Sequence, residues 1–432
     1  MNSKFLTATL LGTAAMAMSA CSTSRVSSDA KKDNAHQETK AYVDVDNLTL
    51  SDAQRDMVTR NNEFGLRLFK KVAGMDSRVV SPLSVTCLMS VTYLMGMLAN
   101  GAEGQTRQEI LSTLGWDKGA EGKDALEEAN ELACTMMQSL TRKDQAISVD
   151  VSNYVAVNHQ LKLKDSFRRT VTDYYQAGVE ALDFASPKTV GHINGWCSER
   201  THGMIPSIID QTSPQDVSYL INAIYFNGTW ADKFDKQDTH IEPFRGYTRD
   251  IKRVPMMHRN GEYFYASGND FDAVQIPYGD RSFQMTVILP HEGKAAHEVF
   301  ANMTAEQLTQ LRHNMSKCIV DLKLPRFTTE VEQPLNEVIS SLGAPTIFTP
   351  SANFEALASG QFFVSKMLQK AKIEVSEEGT KAAAVTAAIM TMSARIDEEP
   401  RRVNFHADHP FIYLITESRT GAILFIGQYT GE

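Results

Sequence analysis

The chain has 432 residues, 42% of them hydrophobic, so it can bury a large core in one or two domains. Its formal net charge is −9 at pH 7 and it contains no basic block, which argues against nucleic acid as a partner. The G-x-S-x-G, G-x-G-x-x-G and P-loop patterns are also absent. We therefore expect neither an enzyme nor a bound cofactor.

The first 20 residues have the layout of a signal peptide. Lys4 supplies positive charge, and the mostly apolar stretch of residues 5–17 is too short to span a bilayer. Small residues then precede Cys21, which is typical of a bacterial lipoprotein cleavage site. Lipidation at Cys21 would anchor the chain to a membrane; an ordinary signal peptide with an incidental cysteine is the alternative. We expect an exported protein, either a cell-envelope lipoprotein or an extracellular one.

Residues 21–50 are polar and rich in Ser, Lys and Asp, which predicts a tether between the anchor and the fold. Residues 51–432 are then expected to form a single domain.

Helical periodicity dominates the first part of that domain. Phe64, Leu68 and Val72 follow i, i+4 spacing, and the proline of Ser81-Pro82-Leu83-Ser84 suits the first turn of a second helix. Further helices are predicted over residues 103–114, 124–141, 166–177, 190–201 and 331–342.

Strand patterns begin at Ile147 and dominate after Val217. Near the C-terminus, two apolar runs flank the turn Glu417-Ser418-Arg419-Thr420-Gly421, which predicts a β-hairpin. Helices followed by sheets indicate one α+β domain.

Metal and redox chemistry are not indicated. His291 and His297 lie six residues apart and cannot share a helix face as a zinc-binding pair four apart would. The cysteines beyond Cys21 are single and far apart, which favours free, partly buried thiols. They are Cys87, Cys134, Cys197 and Cys318.

Residues 374–400, EVSEEGTKAAAVTAAIMTMSARIDEEP, have an unusual composition. Small, hydroxyl and apolar residues follow Gly379, interrupted only by Lys381, before charge returns at Arg395. Thr380 is an acceptable N-cap and alanine favours helices, so residue types alone predict a helix. The competing interpretation is an exposed loop whose small side chains could enter a sheet as an extra strand.

Twelve phrases favour the second interpretation through a resemblance. In chain order they are NNEFGLRLF, VVSPLSV, GAEGQTRQEI, INGWCSERTHGMI, LINAIYFNGTW, VPMM, QIPYGD, VILP, LKLPRF, VEQPLNEVISSLGAPTIF, VSKMLQKAKIEVSEEGTKAAAVT and FHADHPFIYLI…GAILFIGQ. In this order they resemble the serpin family over nearly all of residues 60–430, and EEGTKAAAVT is the most specific phrase.

The resemblance implies an α+β serpin fold of three β-sheets with eight or nine helices and an exposed reactive-centre loop at about Gly379 to Pro400. It implies a monomer that inhibits a serine endopeptidase, with cysteine endopeptidases as a second target class. The protease would form an acyl-enzyme with the loop, and the cut loop would insert into the largest sheet before deacylation. A non-inhibitory binding or chaperone-like protein on the same scaffold is the alternative.

Insertion requires small side chains on one face of the new strand. Thr380, Ala382 and Ala384 would share the packed face, whereas Lys381 would face solvent. The predicted hinge consists of Glu378, Gly379, Thr380, Lys381, Ala382, Ala383, Ala384, Val385 and Thr386.

The family's usual count from Gly379 places the cleaved bond at Ser393-Ala394, where small residues suit elastase-like proteases. Met392-Ser393 is an alternative of similar specificity. Arg395-Ile396 would instead suit trypsin-like enzymes.

The resemblance also implies a polar cluster beneath the point at which the sheet opens. Its expected members are Ser81, Ser84, Asn222 and Gln369. Gln369 replaces the usual histidine and could bridge but not titrate. The simpler interpretation is a set of buried, satisfied polar residues.

Overall fold

The computed structural model describes residues 50–75, 84–117, 119, 124–140, 146–248, 250–380 and 401–431, and only the backbone of residues 84–87. None of the helices in these ranges is long and apolar enough to cross a membrane.

Nine α-helices occur in the described ranges. They are α1 (Asp52–Val72), α2 (Leu88–Gly101), α3 (Gly104–Leu114), α4 (Ala125–Leu140), α5 (Asp165–Tyr175), α6 (Lys188–Arg200), α7 (Ala296–Ala301), α8 (Ala305–Asn314) and α9 (Asn336–Leu342). Helix α1 begins with a capping box, since the Gln54 backbone N–H donates to Ser51 Oγ and the Ser51 N–H donates to Gln54 Oε1.

Seventeen strands occur in the same ranges. They are β1 (Ser84–Cys87), β2 (Ile147–Asn158), β3 (Lys162–Leu163), β4 (Gly178–Leu182), β5 (Ser218–Thr229), β6 (His240–Arg245), β7 (Ile251–Ser267), β8 (Phe271–Tyr278), β9 (Phe283–Pro290), β10 (Ser316–Pro325), β11 (Phe327–Pro334), β12 (Ala358–Ser359), β13 (Lys366–Ser376), β14 (Gly379–Thr380), β15 (Arg402–His406), β16 (Phe411–Glu417) and β17 (Ile423–Tyr429).

The strands form three sheets in the described chain. A nine-stranded sheet has the order β1-β17-β16-β9-β8-β7-β10-β15, with β6 paired to β7. A six-stranded sheet has the order β11-β13-β14-β5-β2-β4, and β3 pairs with β12. Three sheets with nine helices confirm the expected α+β architecture, and β16 and β17 confirm the C-terminal hairpin.

Two predicted helix starts were wrong. Residues 84–87 form β1, which pairs antiparallel with β17, so the second helix begins at Leu88 rather than at Ser81. The last helix was expected from Val331, but β11 continues to Pro334 and α9 begins at Asn336. In both cases pairing with a strand distant in sequence prevailed over local helical pattern.

Cysteine behaves as predicted where its side chain is described. Cys197 and Cys318 are buried and Cys134 is partly buried, and all three are free thiols. Burial raises the pKa of Cys197 to about 12, so this thiol remains protonated and unreactive at neutral pH.

Helix α6 covers part of the six-stranded sheet. Its buried Ile193 and Cys197 pack in one cluster with Tyr219 and Ile221 of β5. Asn194 fixes the segment that returns from this helix: its side-chain N–H donates to the Ile209 carbonyl at 2.8 Å, and its Oδ1 accepts from the backbone N–H groups of residues 208 and 209.

Replacing Asn194 should therefore destabilise the domain. We expect Asn194→Ala to lower the free energy of unfolding by about 2–3 kcal/mol, because it leaves backbone groups of a part-buried segment unpaired. Denaturant unfolding measures this loss. Glu199→Ala, at an exposed position of the same helix, is the control and should change stability by less than about 0.5 kcal/mol. If both variants lowered the free energy of unfolding equally, the structural role assigned to Asn194 would be contradicted.

Candidate functional site

The predicted hinge begins as a tight β-hairpin. Val375 pairs with Thr380 and Ser376 with Gly379, so the two residues between them, Glu377 and Glu378, form the turn. Gly379 has φ +141°, and a Cβ there would lie 2.1 Å from the carbonyl oxygen of Gly228. Only glycine fits this close approach to β5.

Strand β14 lies between β13 and β5 at one end of the six-stranded sheet. Gly379 pairs with Thr229, and Thr380 pairs with Gly228. We expected the exposed loop to start at Gly379, but Thr380 is only 1% exposed. The first two residues of the stretch already belong to the sheet, because the backbone of β14 has hydrogen-bonding partners on both sides.

A polar and aromatic pocket holds Thr380. Its Oγ1 shares a 2.8 Å hydrogen bond with the hydroxyl of Tyr278. The Tyr278 ring stacks on Trp230 with centroids 4.4 Å apart, and Trp230 Nε1 donates to the Ser376 carbonyl at 2.8 Å. Burial raises the pKa of Tyr278, so its hydroxyl stays protonated. The pocket therefore fits a small hydroxyl residue.

Glu378 is held by two lysines. Its carboxylate lies 2.7 Å from Lys233 Nζ and 3.3 Å from Lys236 Nζ. The hydrogen bond from Lys233 lowers the pKa of Glu378 below its ordinary value of 4.5. The turn is thereby fixed electrostatically to the segment that follows β5.

Glu377 turns into the protein on the other side. It is 2% exposed, and its Oε1 accepts from Thr239 Oγ1 at 2.9 Å and lies 3.4 Å from Arg326 Nη1. The partners of the two glutamates thus fix both sides of the turn.

An unpaired gap between β5 and β13, called the slot, lies next to β14 in the same sheet. Strands β5 and β13 pair in parallel only from Tyr219–Lys366 to Ala223–Lys370. Among the described residues, no backbone pairing joins residues 224–227 of β5 to residues 371–374 of β13. The two strands are joined at one end, separated by β14 at the other, and unpaired between.

A row of amide side chains crosses the sheet where β5 and β13 are joined. Asn222 pairs with Gln369 on one side and with Asn153 on the other, and Gln333 pairs with Gln369. Asn222 Nδ2 donates to Asn153 Oδ1 at 2.7 Å. Asn222 and Gln369 are thus buried neighbours, on strands that would have to separate if a longer strand entered.

The remaining predicted residues are only partly placed. Ser84 lies on β1 of the other large sheet, opposite Gln428, and its side chain is not described. Ser81, Cys21 and all of residues 381–400 lie outside the described ranges. These include the hinge from Lys381 onward and the candidate cleavage residues Met392, Ser393, Ala394, Arg395 and Ile396.

Sequence reasoning missed Tyr278, Trp230, Lys233 and Asn153. Asn153 could have been identified from the sequence, because it is a lone asparagine in the mostly apolar run SNYVAV. The others are distant in sequence from Thr380, and no local pattern links them to it.

The site contains no group of three or more metal-ligating side chains within the described ranges.

Comparison with known proteins supports the resemblance. Residues 59–431 match the family model described as serpin (serine protease inhibitor). Serpin B6 of Macaca fascicularis is 31% identical over 86% of this chain and 98% of its own length. A serpin-like protein of Thermococcus kodakarensis is 30% identical over 87% of this chain and 85% of its own. The native-state crystal structure of the thermophilic serpin tengpin aligns with a TM-score of 0.77 and 27% identity, covering 89% of this chain and 95% of that one.

The two lysines should stabilise the hairpin in a pH-dependent way. We expect Glu378→Gln to lower the free energy of unfolding at pH 7 by about 0.5–1 kcal/mol, since the amide cannot form the ion pairs. Because the pKa of Glu378 is depressed in the folded chain, its contribution is complete above pH 4.5 and is lost as pH falls through the lowered pKa.

Denaturant unfolding of both proteins as a function of pH measures this effect. The difference between them should disappear in acid. Glu355→Gln, at an exposed position with no ion pair among the described residues, controls for the general loss of a negative charge. A difference that persists unchanged in acid would contradict the ion-pair account.

Proposed function

The chain belongs to the serpin family, and from that premise we propose that it is a suicide-substrate inhibitor of serine endopeptidases. The target attacks the loop as a substrate and forms an acyl-enzyme, and the cut loop then lengthens β14 within the six-stranded sheet. The position of β14 between β13 and β5, beside an unpaired slot, is the observation that carries the proposal.

The register of β14 indicates how the slot would be filled. Thr380 lies opposite Gly228, so continued antiparallel pairing would place Ala382 opposite Phe226 and Ala384 opposite Ile224. Phe226 and Ile224 belong to the main hydrophobic core, where small side chains are needed. Lys381 would fall opposite the partly exposed Asn227, where its charge can be solvated.

Further insertion has a barrier. Four residues, 381–384, would fill the slot, but the next ones must separate the five registered pairs between β5 and β13. The Asn222–Gln369 pair is one of them. Each backbone hydrogen bond contributes about 0.5–1.5 kcal/mol, so the joined end delays insertion until new pairs replace the old ones.

Cleavage is required because the intact stretch is held at both ends. Its N-terminal end is β14, and its C-terminal end leads into β15, whose Arg402 pairs with Ile319 of β10 in the nine-stranded sheet. A strand cannot extend deep into one sheet while its other end stays in another. Cutting the chain in between removes this constraint and releases stored free energy.

The class of target protease follows from the residues on either side of the cleaved bond. Ser393-Ala394, or Met392-Ser393, would favour an elastase-like protease, and Arg395-Ile396 a trypsin-like one. We propose an elastase-like serine endopeptidase as the target, with cysteine endopeptidases as further targets. The inhibitor would act as a monomer displayed on the cell envelope through a lipid on Cys21.

Incubation with purified proteases tests the proposal. We expect an elastase-like enzyme to give a covalent complex that survives denaturation, together with a released C-terminal fragment that starts at Ala394. Mass spectrometry of that fragment identifies the cleaved bond. If every protease cleaves the loop and is released active, the inhibitor proposal fails and a non-inhibitory binding protein is the better description.

The packed face of the inserted strand provides a mutational test. We expect Ala384→Arg to convert the inhibitor into a substrate, because insertion would bury an unpaired arginine opposite Ile224 in the core. The ratio of complex to cleaved product, read by denaturing electrophoresis, should fall by at least about tenfold if insertion loses a few kcal/mol. Ala384→Ser keeps a small side chain and should behave like the parent. Undiminished complex formation by Ala384→Arg would show that insertion is not the mechanism.

A further inference from the structure

Large apolar side chains are exposed mainly on one β-hairpin. Four such side chains are exposed in the described ranges, and three of them lie in β6, in the first residue of β7 or in the turn between these strands. Ile241 is 56% exposed, Tyr247 41% and Ile251 65%. The fourth, Phe264, lies further along β7. This concentration indicates a contact surface rather than scattered exposure.

The hairpin presents these side chains rigidly. Its inner face is anchored in the core by Phe244 and Val254, and the Phe244 ring lies 5.1 Å from the ring of Tyr429. Strand β10 pairs with β7 only from Met256 onward, so residues 251–255 extend beyond it with β6 as their partner.

The outer face combines apolar and cationic residues. Three cross-strand pairs form it, namely Ile241–Pro255, Pro243–Arg253 and Arg245–Ile251. It carries no acidic residue, although the whole chain has a net charge of −9.

Three acids, Glu292, Asp250 and Asp408, stand in loops beside this face. Glu292 lies 3.4 Å from Arg245, and Asp250 lies 3.8 Å from Lys252. Arg253 donates only to the Ile241 carbonyl, at 3.3 Å, and has no carboxylate partner among the described residues. At least one guanidinium on the face is therefore available to an external anion.

We infer that this hairpin face rests on the surface of an anionic lipid bilayer, an inference that depends on the proposed lipid anchor at Cys21. Isoleucine and tyrosine side chains can enter the interfacial layer while arginines contact acidic headgroups. The six paired side chains and Tyr247 are far fewer than the roughly 20–30 per partner of a stable protein interface.

So small a contact is sufficient for membrane binding if a lipid on Cys21 already tethers the chain to the bilayer. A flexible tether of roughly 30 residues would have a root-mean-square length of about 30 Å, so a lipid on Cys21 would keep residues 51–432 close to the bilayer. The second contact is then effectively intramolecular, and weak binding becomes productive. Contact through this face would also fix the orientation of the inhibitor on the envelope.

Fluorescence quenching tests this contact with the lipidated mature chain in vesicles of phosphatidylcholine and phosphatidylglycerol. We expect brominated lipids to quench the added tryptophan of Ile251→Trp at least about twofold more strongly than that of Phe264→Trp, the matched control on the same strand. Replacing both arginines, Arg245→Gln with Arg253→Gln, or raising the salt concentration should reduce the difference.

Three other outcomes would overturn the inference that this face contacts the bilayer. Equal quenching at the two positions on a lipidated chain means that the face does not meet the bilayer. An emission change of Ile251→Trp that depends on protein concentration without lipid indicates a second copy instead. A Cys21 without lipid, read separately by mass spectrometry, removes the anchor on which the inference rests, whereas the protease assay tests inhibition independently.

Discussion

Strand β14 depends on its pairing with two different neighbours, and the whole site depends on β14. Two residues, Gly379 and Thr380, separate β13 from β5 and prevent these strands from closing along their full length. A two-residue strand has little stability of its own. It persists because the lysine contacts of Glu378, the buried carboxylate of Glu377 and the Tyr278 hydroxyl all fix the hairpin that contains it.

The same arrangement is what the proposed mechanism requires of a sheet that is stable and would still accept more chain. At its closed end, five registered backbone pairs, among them Asn222–Gln369, join β5 and β13. At its open end the strands are already separated, so insertion can begin without breaking any pair. The free energy that drives it would come from backbone groups and apolar surface that the unfilled slot leaves unsatisfied. That free energy can drive insertion only if the residues after Thr380 are small enough to pack between β13 and β5.

Local sequence patterns predicted the features that depend on local physics. The hairpin around Glu417 to Gly421 follows from turn geometry and short-range hydrogen bonding. Val331 and Ser84 were misassigned because their strands form by pairing with β13 and β17, which are distant in sequence. From Thr380 onward, residue types alone favoured a helix, and only the family resemblance indicated a strand. Even so, the burial of Thr380 could not be foreseen, since it depends on Gly228, Tyr278 and Trp230 meeting at one point.

The central claim is that the cut stretch becomes a strand between β13 and β5. The most direct measurement is the thermal unfolding of the chain before and after a single cut within residues 381–400 by a protease that it does not trap. The account predicts that the cut chain unfolds at a temperature higher by at least about 10 °C, because the inserted strand supplies new hydrogen bonds on both of its edges. An unchanged or lower unfolding temperature after a verified cut would contradict it.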